Sequence, residues 1–142
     1  MNIDIQYRPG AHKLEVNPNG SWIDLYTYED VCIAPYQFAL IDLGVAMKLP
    51  EGYEAILAPR SSTYKHWSVL QANSIGVIDP TFCGANDWWK FPAVNNTPNL
   101  LQIPAGTRLC QFRIQKVQPE ILFNEVVTLE DNSRGGFGTS GV

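Results

Sequence analysis

At 142 residues the chain has the size of one domain, long enough to bury roughly 70% of the surface it exposes when unfolded. Its 45% apolar and 17% charged residues describe an ordinary globular protein, and eleven glycines with ten prolines point to short elements joined by turns. A net charge of −4 excludes a general nucleic-acid binder, which needs a basic surface, but leaves room for a local phosphate site built by a few arginines.

Met1-Asn2-Ile3-Asp4 carries no basic start, and no apolar run approaches the roughly 18 residues of a membrane helix, so neither a signal peptide nor a membrane span is expected. Cys32, Cys83 and Cys110 are odd in number and far apart, which argues against zinc and against a disulfide framework. A reduced, cytoplasmic setting is expected.

In chain order, residues 3–7 and 36–41 read as strands. Leu43, Val45, Met47 and Leu49 then alternate with Gly44, Ala46 and Lys48, a period of two. Pro50-Glu51-Gly52 turns the chain into a further strand from Tyr53 to Leu57. Residues 61–67 form the one helix expected, barely two turns, with Ser61 or Ser62 as its N-cap. Strands follow at 74–78, 108–117 and 125–129. Many short strands at turn-punctuated spacing predict a sandwich or barrel rather than alternating strands and helices. Residues 132–141, from Asn132 to Gly141, lack core-forming side chains and read as a mobile arm.

Four polar constellations stand out against this background. Pro59-Arg60-Ser61-Ser62-Thr63 offers hydroxyls, a guanidinium and helix-start N–H groups, a fit for phosphate; its plainer reading is a cap with a surface arginine. In Gly76-Val77-Ile78-Asp79, Ile75, Val77 and Asp79 share one strand face. A carboxylate ending an apolar row is desolvated on one side and suited to general-base work, or else simply starts a turn ahead of Pro80. In the run 108–114, Cys110, Phe112 and Ile114 form one face and leave Gln111 and Arg113 on the other. In the tail, Arg134, Thr139 and Ser140 could bind a terminal phosphate while Phe137 stacks on a base.

Taken in order, these runs resemble the five motifs of the trimeric dUTPase family over nearly the whole chain, most closely in the spelling of Gram-positive bacterial and phage members. Trp22-Ile23-Asp24-Leu25 resembles the first motif and Pro59-Arg60-Ser61-Ser62 the second. Asn73-Ser74-Ile75-Gly76-Val77-Ile78-Asp79 resembles the third, Gly106-Thr107-Arg108-Leu109-Cys110-Gln111 the fourth, and the glycine-rich tail the fifth.

The resemblance implies an all-β, jelly-roll-like β-barrel of β-clip type with one short helix, in residues 1–130. It also implies a homotrimer with three shared sites, each closed by a flexible arm from residues 131–142. Asp79 would activate water for attack on the α-phosphorus of dUTP, with Gln111 assisting. Arg60, Ser61, Ser62, Gln111, Arg134, Thr139 and Ser140 would hold the phosphates, and Asp24 would hold Mg²⁺ through water. Asn73, Gly76, Ile78, Asp79 and Phe82 would surround uracil and deoxyribose. The products would be dUMP, a precursor of dTMP, and pyrophosphate, and uracil would be kept out of DNA. No nucleic acid or membrane partner is implied.

The chain departs from the family pattern in places. Thr81-Phe82 stands where Asp-Tyr is usual; Phe82 keeps the ring that excludes a 2′-hydroxyl, so UTP should still be rejected. Arg134 lies only three residues before Phe137, closer than usual, so Phe137 is the first choice for the stacking ring and Phe91, in Trp88-Trp89-Lys90-Phe91, the second. That aromatic run also reads as a buried strand or interface patch. A dCTP deaminase shares the fold but uses a glutamate near the third motif, and no glutamate lies between Glu54 and Glu120. A protein-binding regulator with residues 86–98 as its partner surface is the other alternative, although it would not need the full polar set from Asp24 to Arg134.

Overall fold

A computed structural model describes residues 1–139 and 141. Among these it contains eleven strands and one short helix. The sheet that matters most runs β2 (Ile23–Tyr26), β11 (Arg108–Lys116), β6 (Tyr53–Pro59), β8 (Gly76–Ile78), all antiparallel neighbours. A three-stranded sheet has the order β4 (Phe38–Asp42), β9 (Lys90–Asn95), β7 (Val69–Gln71). Two ribbons complete the set: β1 (Asp4–Tyr7) with β5 (Val45–Lys48), and β3 (Val31–Ile33) with β10 (Leu101–Ile103). The architecture is thus all-β with one helix, α1 (Thr63–Trp67).

Alternation along β11 explains its central place. Cys110 and Phe112 are buried, Gln111 is half-buried and Arg113 exposed. A register shift between Arg108 and Cys110 turns Leu109 inward as well, so a bulge opens the strand where the first and fourth motifs meet. The single core joins Leu25, Leu57, Phe112, Trp89 and Phe91, with Trp89 set edge-on to Phe112 at 5.1 Å between ring centres.

Local details depart from the sequence expectations for identifiable reasons. The strand at 74–78 shrinks to three residues because Ser74, at φ 61°, belongs to the preceding turn. Ala46 is buried despite its place in the alternation; it pairs with Gln6 of β1 and lines a cavity together with Cys83 and Gly84. The strand expected at 125–129 is absent: no described residue after Lys116 belongs to a strand, and Val127 and Leu129 are exposed. An apolar alternation there finds no partner strand within its own chain. Ser62 does occupy the N-cap of α1, yet its hydroxyl makes no cap bond. Among the described residues no helix is long and apolar enough to cross a membrane.

Asn95, fully buried at the end of β9, ties three segments together. Its Nδ2, with two hydrogens, is shared among the carbonyls of Ile33 (3.0 Å), Ala34 (3.1 Å) and Asn99 (2.8 Å), and its Oδ1 accepts from Thr97. Replacing it with leucine strands these groups without water. At about 1–3 kcal/mol per orphaned group, Asn95→Leu is expected to lose on the order of 3 kcal/mol in urea unfolding.

Candidate active site

Three strands set the residues expected to face phosphate side by side. Asp24 of β2 is opposite Gln111 of β11, which in turn is opposite Ala58 of β6, one residue before Pro59 and Arg60. Gln111 Nε2 donates to the Pro59 carbonyl at 3.1 Å. Asp24 takes Arg60 Nε on one oxygen at 3.0 Å and Arg108 Nε on the other at 3.5 Å. Thr63 pins the turn from below: its buried hydroxyl accepts from Arg60 N–H at 2.8 Å and donates to the Leu109 carbonyl at 2.7 Å. The result is an open cleft of about 300 Å³ lined by Asp24, Arg60, Ser61, Gln111 and the segment Gly20-Ser21-Trp22. Guanidiniums beside hydroxyls in such a cleft suit an anion of several oxygens.

Metal chemistry is limited by the same geometry. Among the described residues no three His, Cys, Asp or Glu side chains converge. A single carboxylate beside phosphate-binding donors does fit Mg²⁺, which keeps much of its water and takes other ligands from substrate phosphates. Cys110, close by, is no nucleophile: burial first, and then the Asp24 carboxylate, push its thiol far up, so it stays protonated.

The second group lies on the connection from β7 to β8, a hairpin-shaped turn whose two strands pair in different sheets. Gly76 packs against Leu57, and a Cβ at Gly76 would meet Leu57 Cβ at 3.1 Å. Ile75, Val77 and Asp79 do share a face, but it is the outer one, with Ile75 and Val77 about half exposed or more. Expected desolvation of Asp79 is therefore overturned within this chain, because β8 is an edge strand and its inner face belongs to Gly76 and Ile78. The carboxylate is braced by a turn instead. Its Oδ1 accepts from the Thr81 hydroxyl at 2.6 Å and from Thr81 N–H at 2.8 Å, and these bonds hold its carboxyl below the ordinary carboxylate range. The plainer reading of the sequence is therefore met, for the aspartate starts a turn through Oδ1, and its Oδ2 is not used by that turn.

The aromatics sort cleanly. Phe91 and Trp89 are fully buried, and Trp88 carries the Arg8 guanidinium at 4.2 Å. Phe91 is spent in the core and is withdrawn as a stacking ring. Of residues 86–98, Lys90–Asn95 form β9 and bury Phe91, Ala93 and Asn95, while Asn86, Lys90, Asn96 and Pro98 are exposed. Phe137 is fully exposed, at φ 50° between Gly135 and Gly138, both also left-handed; Phe82 is partly exposed at the hairpin's end. Arg134 is exposed, the Thr139 hydroxyl closes a turn onto Gly136, and Ser140 lies outside the described residues.

Three contributors escaped the sequence reading. In the sequence Arg108 stands out only as a member of the fourth-motif run, Thr63 only as a hydroxyl near phosphate, and Thr81 only as a departure from the usual spelling. Asp-Pro-Thr is a recognisable side-chain-capped turn and could have signalled Thr81.

A family model described as dUTPase matches residues 17–141. The SPbeta prophage-derived deoxyuridine 5′-triphosphate nucleotidohydrolase of Bacillus subtilis (strain 168) is 47% identical over 142 residues, covering 99% of each chain. The deoxyuridine 5′-triphosphate nucleotidohydrolase of Thermobifida fusca is 35% identical over 128 residues, 88% of this chain and 69% of that one. In fold, the chain is similar to a variant of the Staphylococcus bacteriophage 80alpha dUTPase solved with dUpNHpp, with TM-score 0.81, 24% identity and 99% of each chain covered. The dUTPase from phage phi11 of S. aureus gives TM-score 0.77 at 20% identity, over 93% of this chain and 100% of that one. The chain belongs to the dUTPase family. That places it among the hydrolases of nucleoside triphosphates, as a dUTP diphosphatase.

Two outcomes follow from the site's geometry. Removing the Thr81 hydroxyl frees the Asp79 carboxylate of one stabilising donor, so its pKa should rise towards the ordinary value in Thr81→Val and stay low in Thr81→Ser; a carboxyl-carbon NMR titration reads this directly. Phe91→Ala should cost about 3–5 kcal/mol of stability, whereas Phe137→Ala should change it by no more than about 0.5 kcal/mol in the same urea titration.

Proposed function

We propose that this chain hydrolyses dUTP to dUMP and pyrophosphate at sites shared between copies of itself. Asp79 of one copy would orient the attacking water, while Arg60, Ser61, Ser62 and Gln111 of another hold the phosphates. One observation carries this reading. Ala55 pairs with Ile78, so Asp79 continues past Glu54 while Arg60 leaves the opposite end of β6, six residues further on. At about 3.3 Å per residue that is about 20 Å along the strand. In-line attack requires reacting atoms about 3–3.5 Å apart, too short a reach for both groups of one chain to serve one α-phosphorus. A symmetric trimer resolves the mismatch by bringing one chain's hairpin to the next chain's cleft.

Within such a site the chemistry is largely electrostatic. Asp79 orients water in line with the leaving pyrophosphate, and the Arg60 guanidinium, the Ser61 and Ser62 hydroxyls and the Gln111 amide offset the charge that develops there. Asp24 is the carboxylate that would hold Mg²⁺ through water, and the ion would supply further charge neutralisation at the phosphates. Asn73, with the backbone at Gly76 and Ile78, would read the uracil edge, and the Phe82 ring would fill the space of a 2′-hydroxyl. Residues 131–142 would form the arm of a further copy, with Phe137 over the base and Arg134, Thr139 and Ser140 over the γ-phosphate. The full exposure of Phe137 supports this role, because none of the described residues of its own chain covers the ring. The physiological task would be to limit uracil in DNA and supply dUMP in the cytoplasm.

Co-expression of two inactive variants tests the shared site. Asp79→Asn and Arg60→Ala should each lose nearly all pyrophosphate release from dUTP with Mg²⁺. Mixed assemblies should regain up to about a quarter of the wild-type rate, the share of junctions in which both intact residues meet. Activity that stays at the level of the parent variants would show that the site is not shared in this way.

A further inference from the structure

The hairpin holds a buried polar side chain that the reaction does not use. Gln71, the last residue of β7, is 7% exposed, although β7 belongs to the three-stranded sheet and its amide reaches the other one. Its Nε2 donates to the carbonyl of Leu57, in β6, at 3.2 Å, and to Asn73 Oδ1 at 3.1 Å. A backbone carbonyl only accepts, so the Leu57 contact decides which end of the Gln71 amide points there. Two hydrogens on one nitrogen then serve two acceptors, and the atom of Asn73 that faces Gln71 must be its oxygen. Oε1 of Gln71 is buried without a partner among the described residues. The flipped amide would be worse, setting that oxygen against the Leu57 carbonyl. Gly76 belongs to the same arrangement, since a Cβ there would come within 3.2 Å of Gln71 Nε2. The turn itself is held separately, by Ser74 N–H on the Gln71 carbonyl at 3.0 Å and Ala72 N–H on the Pro92 carbonyl at 2.8 Å.

We propose that Gln71 is a positioning residue for base choice: it locks the Asn73 amide with Nδ2 as the group left to meet the base. That inference rests on the reading of Asn73 as a uracil contact. An N–H donor at this place matches a ring carbonyl oxygen of uracil and opposes the exocyclic amino group of cytosine, which is itself a donor. An unlocked Asn73 can turn its oxygen outwards and accept that amino group. The Leu57 carbonyl therefore sets Gln71, and Gln71 sets the hydrogen-bonding sense of Asn73.

The readout is the ratio of kcat/KM for dUTP to that for dCTP, which a general loss of folding does not bias towards either base. Gln71→Met keeps the volume and removes both donors. It should lower the ratio by roughly tenfold or more, the size of one correctly oriented hydrogen bond, chiefly through a higher KM for dUTP. Gln71→Glu supplies at most one hydrogen where two are needed, so it should lower the ratio in the same direction and serves if the methionine variant does not fold. With Asn73→Ala added, neither change should lower the ratio further. An unchanged ratio in the folded Gln71 variants, with Asn73→Ala losing it, would overturn the role of Gln71 alone. If Asn73→Ala itself left the ratio unchanged, the assignment of Asn73 would fall, and that of Gln71 with it.

Discussion

The register of β11 is the constraint on which the site depends. This strand lies between β2 and β6, and its buried residues Cys110 and Phe112 commit Gln111 to the opposite face. Antiparallel pairing on both sides then places Asp24 and Ala58 beside Gln111 with no freedom left. A slip of one residue would turn Gln111 into the core and Phe112 into water, so apolar burial enforces the arrangement of the polar cleft. Thr63 extends that control to the turn bearing Arg60, because one hydroxyl bonds both Arg60 N–H and the Leu109 carbonyl.

The cleft is ordered but not locked. Asp24, Arg60 and Arg108 form ion pairs whose side chains are about a quarter to a half exposed. Pairs of that kind contribute little to stability, about 0–1 kcal/mol each. They can therefore exchange partners at low cost, and a triphosphate offers guanidiniums more oxygens than one carboxylate does. Asp24 thus holds the arginines in the cleft without binding them so firmly that a substrate could not take them over.

The hairpin is organised on a different principle. Its two strands belong to different sheets, and Gln71 joins them through the Leu57 carbonyl. Asp79 at its far end owes its lowered pKa to Thr81 and not to burial. Asp79 and Phe137 are both exposed in the single chain, which accords with the proposed shared site. Both groups are oriented locally, and in the proposed assembly each meets its substrate at another chain.

Much of this was legible in the residues themselves. The alternation at Cys110, Phe112 and Ile114, the turn at Pro50-Glu51-Gly52 and the order of the polar motifs depend on local periodicity and spelling, which a chain carries wherever it folds. The short strands β3, β7 and β10 escaped notice, because three residues make too brief an alternation to read. The strand expected at 125–129 failed for the converse reason: alternation is local, but a strand needs a neighbour. Phe91 and Phe137 are equally aromatic in the sequence, yet one faces the core from β9, the middle strand of its sheet, and the other is fully exposed. The sequence by itself determined the order of the polar motifs and the apolar face of β11, since both follow from residue type and spacing of near neighbours. Only the tertiary structure decided that Asp79 and Arg60 of one chain stand at opposite ends of β6, and that Gln71 faces Asn73 from within. Those relations join residues through register and burial between strands, which no local pattern encodes.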